Sequence, residues 1–140
     1  MKMELKKFMK IGFINGCFDV LHIGHIRMLQ FAKSRCDHLI VAVDSDCRVK
    51  KLKGETRPIN NESDRQEFLL SLKSVDEARM FATDKELIDL IKSISPDIMI
   101  VGSDYRNKRV IGSQYAQQLI FFDRIKDYST SKIVESVGHR

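Results

Sequence analysis

KIGFINGCFDVLHIGHIRMLQF, residues 10–31, is the segment from which the fold of this chain is most readily inferred. An apolar run passes through Gly16 and leads to His22 and His25, which stand at the start of a helical pattern. This order predicts a strand, a tight loop and a helix N-terminus. The first turn of a helix offers unpaired main-chain N–H groups and the positive end of the helix dipole, so it attracts anions. Two histidines three residues apart share one side of that turn, and both can donate hydrogen bonds to one phosphate.

Strands and helices alternate along the rest of the chain. Apolar runs predict strands at residues 9–15, 39–43, 75–81, 98–101 and 119–122. Periodicity and capping residues predict helices at 24–34, 62–73, 83–93 and 113–118, and a last helix from Ser129. The basic segment 44–61 is predicted to be a loop. The alternation indicates a Rossmann-like α/β fold, with a doubly wound, five-stranded, mostly parallel sheet and helices on both faces. Its ligands would bind beyond the carboxyl ends of the strands.

Composition narrows the class of protein. The chain has 140 residues, 43% of them hydrophobic and 31% charged, which is typical of one folded domain. We expect a cytoplasmic protein with no membrane partner, because no apolar run could cross a bilayer and no signal-peptide pattern is present. Three widely spaced cysteines favour neither a disulfide framework nor structural zinc. A formal charge of +5 and a pI near 9.2 favour anionic partners. Nucleic acid is not expected, because no basic helix or groove with interleaved aromatic residues is found.

Five motifs occur in order along the chain. They are NGCFDVLHIGH at 15–25, SDCRVKKLKGETRPIN at 45–60, DR at 64–65, GSDY at 102–105 and STSKI at 129–133. Together they resemble the HxGH nucleotidyltransferases, a family that includes the cytidylyltransferases. Within that family the chain most resembles the adenylyltransferase domains that make ADP-heptose from heptose 1-phosphate. The segment KGETRPIN at 53–60 favours this group over the glycerol-phosphate cytidylyltransferases. We expect a single nucleotidyltransferase domain over residues 1–140, with a short leader at 1–8.

The resemblance implies a reaction and a set of residues. A substrate phosphate would attack the α-phosphorus of a nucleoside triphosphate, which carries Mg²⁺, and pyrophosphate would leave without a covalent enzyme intermediate. No residue is assigned as a metal ligand. The residues implied as catalytic are His22, His25, Lys53 and Arg65. Those implied to bind the nucleotide are Asn15, Gly16, Phe18, Asp19, Gly24, Lys51, Gly102, Asp104, Arg124, Ser129 and Thr130.

Alternatives remain at the level of function. The substrates expected first are ATP and heptose 1-phosphate; the alternative pair is CTP and glycerol 3-phosphate, which would give CDP-glycerol. A non-catalytic nucleotide-binding module is a further alternative, although the dinucleotide fingerprint GxGxxG is absent after the first strand. The resemblance also implies a homodimer.

Simpler structural roles compete for several of these residues. The histidines could only cap a helix, and the lysines at 50, 51 and 53 could only form a solvated basic loop. Arg65 could extend from the end of an apolar stripe to solvent. Asp19 could cap a loop, and Asp104 could form a turn.

Overall fold

Five parallel strands form a single sheet in the order β3-β2-β1-β4-β5 in the computed structural model, which describes residues 9–123. The strands are β1 (Ile11–Gly16), β2 (His38–Asp44), β3 (Glu77–Phe81), β4 (Ile98–Gly102) and β5 (Gln118–Phe122). The helices are α1 (Ile23–Ser34), α2 (Asp46–Lys53), α3 (Glu62–Leu70) and α4 (Asp84–Ile94). The predicted five-stranded, doubly wound α/β fold is confirmed, and the sheet is parallel throughout.

Successive strand residues enter two separate cores, one on each face of the sheet. This period of two is what a strand covered on both faces requires. Helices α1 and α3 cover one face, where the buried side chains include Ile14, Leu29, Val41, Leu69 and Ile100. Helix α4 and the segment 110–116 cover the other face, where they include Phe13, Ile40, Leu87, Ile91 and Met99.

Three aspartates tie the amino ends of neighbouring strands together. Each stands immediately before a strand, and its carboxylate accepts the main-chain N–H of a residue at the start of the next strand in the sheet. Its own N–H donates to the carbonyl of that same residue, so every pair is joined twice. The pairs are Asp37 with Lys10, Asp76 with Leu39, and Asp97 with Ile11. These bonds fix where the strands begin.

The prediction that the whole segment 44–61 is a loop is wrong, because this segment contains α2. Ser45 caps this helix by accepting the N–H of Arg48, and Val49 is its buried residue. Gly54 ends it with a φ of 106°, a conformation that glycine adopts without strain. Periodicity missed α2 because its eight residues are mostly charged and bury one side chain.

The other elements differ from prediction mainly at their ends. Asn61 caps α3 as predicted, but the helix ends at Leu70 rather than residue 73, and Phe68 is 46% exposed. The predicted helix at 113–118 is a 3-10 turn, Ser113–Tyr115, since β5 already begins at Gln118. The last predicted helix, from Ser129, lies outside the described residues. No helix within residues 9–123 has the length and apolarity to span a membrane.

Candidate active site

A cavity of about 310 Å³ opens at the carboxyl ends of β1, β2 and β4. Strand β1 pairs with β2 on one side and with β4 on the other, so the cavity lies where the winding of the sheet reverses. Open α/β sheets bind ligands at this position. It is also the edge at which the sequence predicted the ligand site.

The cavity brings together some of the predicted site residues. Those that line it are Asn15, Gly16, Lys53 and Gly102. Predicted residues that lie outside its lining are Phe18, Asp19, His22, Gly24, His25, Lys51, Arg65 and Asp104. Three more, Arg124, Ser129 and Thr130, lie outside the described residues.

The two histidines form the N-terminal cap of α1. Nδ1 of His22 accepts the N–H of Gly24 at 3.0 Å, and Nδ1 of His25 accepts the N–H of His22 at 3.2 Å. The rings stack with their centroids 3.8 Å apart. Because each Nδ1 accepts a hydrogen bond, each neutral ring carries its proton on Nε2. The capping role is therefore confirmed, and it makes Nε2 of both rings an N–H donor.

The histidine pair adjoins the cavity through two side chains. Met28 lines the cavity and stands one turn after His25, so the two share a face of α1. The ring of Phe18 lies 5.3 Å from that of His25. Phe18 also packs over Gly16, where an added Cβ would lie 3.1 Å from its ring. The residues predicted for the first loop thus link the cap of α1 to the cavity wall.

Charged side chains line both sides of the cavity. Asp44, Arg48, Lys53 and Arg109 all contribute to its wall. Arg48 is already paired, with Nε 3.0 Å from Asp44 and Nη2 2.8 Å from Asp84. Burial raises the pKa of the Asp44 carboxyl, although the charges of Arg48, Arg65 and Lys53 oppose the shift. The wall therefore carries an excess of positive charge, which suits a phosphorylated ligand.

Cys17 also lines the cavity. Burial raises the pKa of its thiol, although the positive charges of Lys53 and Arg65 oppose the shift. The thiol therefore stays protonated at neutral pH, which gives it little nucleophilic character.

Arg65 is fully buried and contacts two residues of the cavity wall, Cys17 and Asp44. Nε donates to the carbonyl of Asn60, Nη1 donates to the carbonyls of Cys17 and Asp44, and Nη2 donates to Asp46. These bonds use four of the five N–H groups of the guanidinium, which leaves too few for a two-pronged phosphate contact. The phosphate contact implied for Arg65 stays a prediction, but this geometry favours positioning of the loops.

Asp19 fixes the first loop to the segment after α2. Its carboxylate, 1% exposed, accepts Nε of Arg57 and the main-chain N–H groups of Ile59 and Asn60, each at 2.9 Å. Burial would raise the pKa of this carboxyl, but these hydrogen bonds and the charge of Arg57 outweigh it, so the pKa is lowered. The role as a loop cap is therefore confirmed for Asp19, and nucleotide binding by it stays a prediction.

Comparison with known protein families gives a match over most of the chain. The family model described as Cytidylyltransferase-like matches residues 13–136, which include the whole cavity wall. The chain belongs to the cytidylyltransferase-like family.

Relatives of this cytidylyltransferase-like chain include two bifunctional proteins named HldE. The protein of Helicobacter hepaticus is 46% identical over 128 residues, which are 91% of this chain and 26% of the relative. That of Nitratiruptor sp. is 47% identical over 130 residues, 93% of this chain and 28% of the relative. The chain thus spans about a quarter of the length of these curated relatives.

Solved structures share the fold. A lipopolysaccharide core biosynthesis protein from Thermoplasma volcanium has a TM-score of 0.64 at 28% identity, covering 86% of this chain and 99% of its own. Pantothenate synthetase from Thermus thermophilus has a TM-score of 0.61 at 13% identity, covering 91% of this chain and 61% of its own. The second likeness is one of fold alone.

Several cavity residues of this cytidylyltransferase-like domain were not assigned to the site by sequence analysis, among them Arg48, Tyr105 and Arg109. Arg48 lies on the unpredicted helix α2, and Tyr105 and Arg109 lie in the connection between β4 and β5. For Arg109 the available signal was the basic run RNKR at 106–109, which directly follows the GSDY motif. No periodicity indicates which of its side chains enters the cavity.

The carboxylate of Asp19 should make stability depend on pH. Because its folded-state pKa is below the unfolded value of about 3.9, its contribution is complete above that value and is lost as pH falls through the folded-state pKa. Asp19→Asn should lower the free energy of unfolding at pH 7 by on the order of 3 kcal/mol, since Arg57 is left buried without its counter-charge. The variant's free energy of unfolding should also fall less steeply than that of the wild type as the pH is lowered into the acid range. Urea unfolding between neutral and acid pH measures both effects.

Asp89→Asn is the matched control, because Asp89 is exposed on α4. This variant should keep the wild-type free energy of unfolding at pH 7 and the wild-type loss of stability at acid pH. Equal behaviour of the two variants would contradict the role assigned to Asp19.

Proposed function

We propose that this chain transfers AMP from ATP to heptose 1-phosphate, which yields ADP-heptose and pyrophosphate. The observation that carries the proposal is the histidine pair, whose capping bonds at Nδ1 put the ring protons on Nε2, at a helix N-terminus beside a positively charged cavity. Membership of the cytidylyltransferase-like family supports nucleotidyl transfer. The likeness to HldE proteins and the segment KGETRPIN support the adenylyl and heptose assignments.

In the proposed reaction an oxygen of the sugar phosphate attacks the α-phosphorus of ATP. The new P–O bond forms as the bond to the β-phosphate oxygen breaks, and pyrophosphate leaves with the electron pair. The attacking phosphate is already an anion, so no residue has to remove a proton from it. His22 and His25 donate from Nε2 to oxygens of the five-coordinate phosphorus, where negative charge accumulates. Lys53 holds the two phosphates close together.

Mg²⁺ would enter with ATP as part of the substrate. This ion commonly keeps most of its contacts with water and phosphate oxygens. Within residues 9–123, no three His, Cys, Asp or Glu side chains are grouped as metal ligands. A homodimer and a cytoplasmic location belong to the same proposal.

Cytidylyl transfer is the second candidate, because the matching family is described as cytidylyltransferase-like. Its substrates would be CTP and glycerol 3-phosphate. The same cavity and histidines would serve both reactions, since the chemistry at phosphorus is identical.

Pyrophosphate release by the purified chain with magnesium tests the proposal. ATP and CTP are each combined with heptose 1-phosphate and with glycerol 3-phosphate. Release only with ATP and heptose 1-phosphate is the expected result, and release only with CTP and glycerol 3-phosphate would replace both substrates but keep the mechanism. The absence of pyrophosphate release in all four reactions would contradict the proposal. If the chain then still bound ATP, a non-catalytic nucleotide-binding module would be favoured.

A further inference from the structure

Two cationic side chains reach the cavity from opposite flanks. Lys53 ends α2, the helix that follows β2 on one side of β1. Arg109 lies in the connection that follows β4, on the other side of β1. The two side chains therefore come from opposite sides of the central strand β1, although both line the same cavity.

Arg109 differs from Arg48, the other arginine of the wall, because it has no hydrogen-bond or ion-pair partner within the described residues. Arg48 is paired with Asp44 and Asp84, and its guanidinium lies 5.1 Å above the ring of Phe81. Arg109 has neither a hydrogen bond nor an ion pair with any residue between 9 and 123. Its charge is thus available to a ligand in the cavity.

The backbone that carries Arg109 is anchored. Val110 and Ile111, which follow it directly, pack against the core on the α4 face. Gly112 then turns with a φ of 80°, and a Cβ there would lie 2.5 Å from Ile91. This close packing holds the base of the Arg109 side chain at the cavity wall.

Arg106 and Lys108, the other two cations of the same loop, contact other side chains. The guanidinium of Arg106 lies 5.4 Å from the ring centroid of Phe121 and 3.5 Å from Asp123. Nζ of Lys108 lies 5.6 Å from the ring centroid of Tyr105. Neither of these two cations lines the cavity.

We propose that Arg109 is a second phosphate-binding residue of this site, on the flank opposite Lys53. The inference rests on the proposed function, in which two phosphorylated substrates must occupy one cavity. Two separate anions are best neutralised by two separate cations. A guanidinium suits this task because its planar fork donates two parallel hydrogen bonds to one phosphate.

Binding measurements by calorimetry test the role directly. The probes are ATP with magnesium, heptose 1-phosphate and inorganic pyrophosphate, each titrated into the wild-type chain and the variants Arg109→Gln and Arg109→Lys. Arg109→Gln should weaken at least one probe by about tenfold or more, as expected for a lost charge-assisted contact. Arg109→Lys should recover part of the affinity. The matched controls Arg106→Gln and Lys108→Gln remove the same charge from the same loop and should change affinity by less than about twofold.

The three probes also show which substrate carries the phosphate that Arg109 binds. A loss confined to ATP and pyrophosphate assigns Arg109 to the nucleotide, and a loss confined to heptose 1-phosphate assigns it to the acceptor. Affinities for all probes equal to those of Arg106→Gln would overturn the inference, as would a wild-type chain that binds no probe. Failure of turnover with heptose 1-phosphate would overturn the proposed reaction, yet the pyrophosphate titration would still decide the role of Arg109.

Discussion

His25→Ala should slow pyrophosphate release by about 10²- to 10³-fold, the usual loss when one donor to a charged transition state is removed. The imidazole caps α1 through Nδ1 and presents an N–H at Nε2, so alanine removes both groups at once. Loss of the cap should lower the free energy of unfolding by about 1 kcal/mol. Steady-state rates and urea unfolding of the same preparation measure the two losses.

His25→Gln separates capping from catalysis. Glutamine at this helix position can accept the N–H of His22, which restores the cap without restoring an imidazole. Its stability should therefore return close to wild type, while its rate should stay below about a tenth of the wild-type rate. A fully active His25→Gln variant would show that the reaction does not need an imidazole at this position, since the glutamine amide also carries N–H donors.

Arg65→Lys should cause the largest loss of stability among the variants considered. A lysine nitrogen carries the charge but cannot reach the carbonyls of Asn60, Cys17 and Asp44 together with Asp46. Buried carbonyl groups are then left without donors beside a misplaced charge, so the free energy of unfolding should fall by about 3–5 kcal/mol. Urea unfolding at neutral pH measures the change.

The control for Arg65 is Arg79→Lys on β3. Arg79 is about half exposed and pairs with Glu77, so its replacement should cost less than about 1 kcal/mol. A phosphate-binding Arg65 would give a different result: KM for one substrate would rise while stability stayed near wild type. That outcome would restore the role that the family resemblance implies.

The fold was predictable because its signals are local. Apolar runs of strand length alternate with capped helices, and the connection lengths permit a parallel sheet. Asn61 and Thr83 act as helix caps, each accepting the N–H three residues later. Helix α2 escaped prediction because eight mostly charged residues give no apolar stripe, even though Ser45 provides a good cap.

Much of the site was less predictable because its interactions join distant parts of the chain. Asp19 and Arg57 are 38 residues apart, and Arg65 and Cys17 are 48 residues apart. No period or spacing in the sequence specifies such contacts. The motifs indicated which loops contribute to the site, but they could not show that Arg65 bonds to the carbonyls of three separate segments. Arg109 belongs to no motif.

The aspartates at the amino ends of the strands have a consequence for how substrate choice can change. They set the register of β1, β2, β3 and β4 at the end of the sheet opposite the cavity. Changes in length or sequence at the carboxyl ends, as in residues 103–112, therefore need not shift the pairing of the strands. The cavity and the bonds that fix the register lie at opposite ends of one sheet. A loop exchanged from a related protein would meet the same scaffold, which makes this chain a suitable recipient for grafted loops.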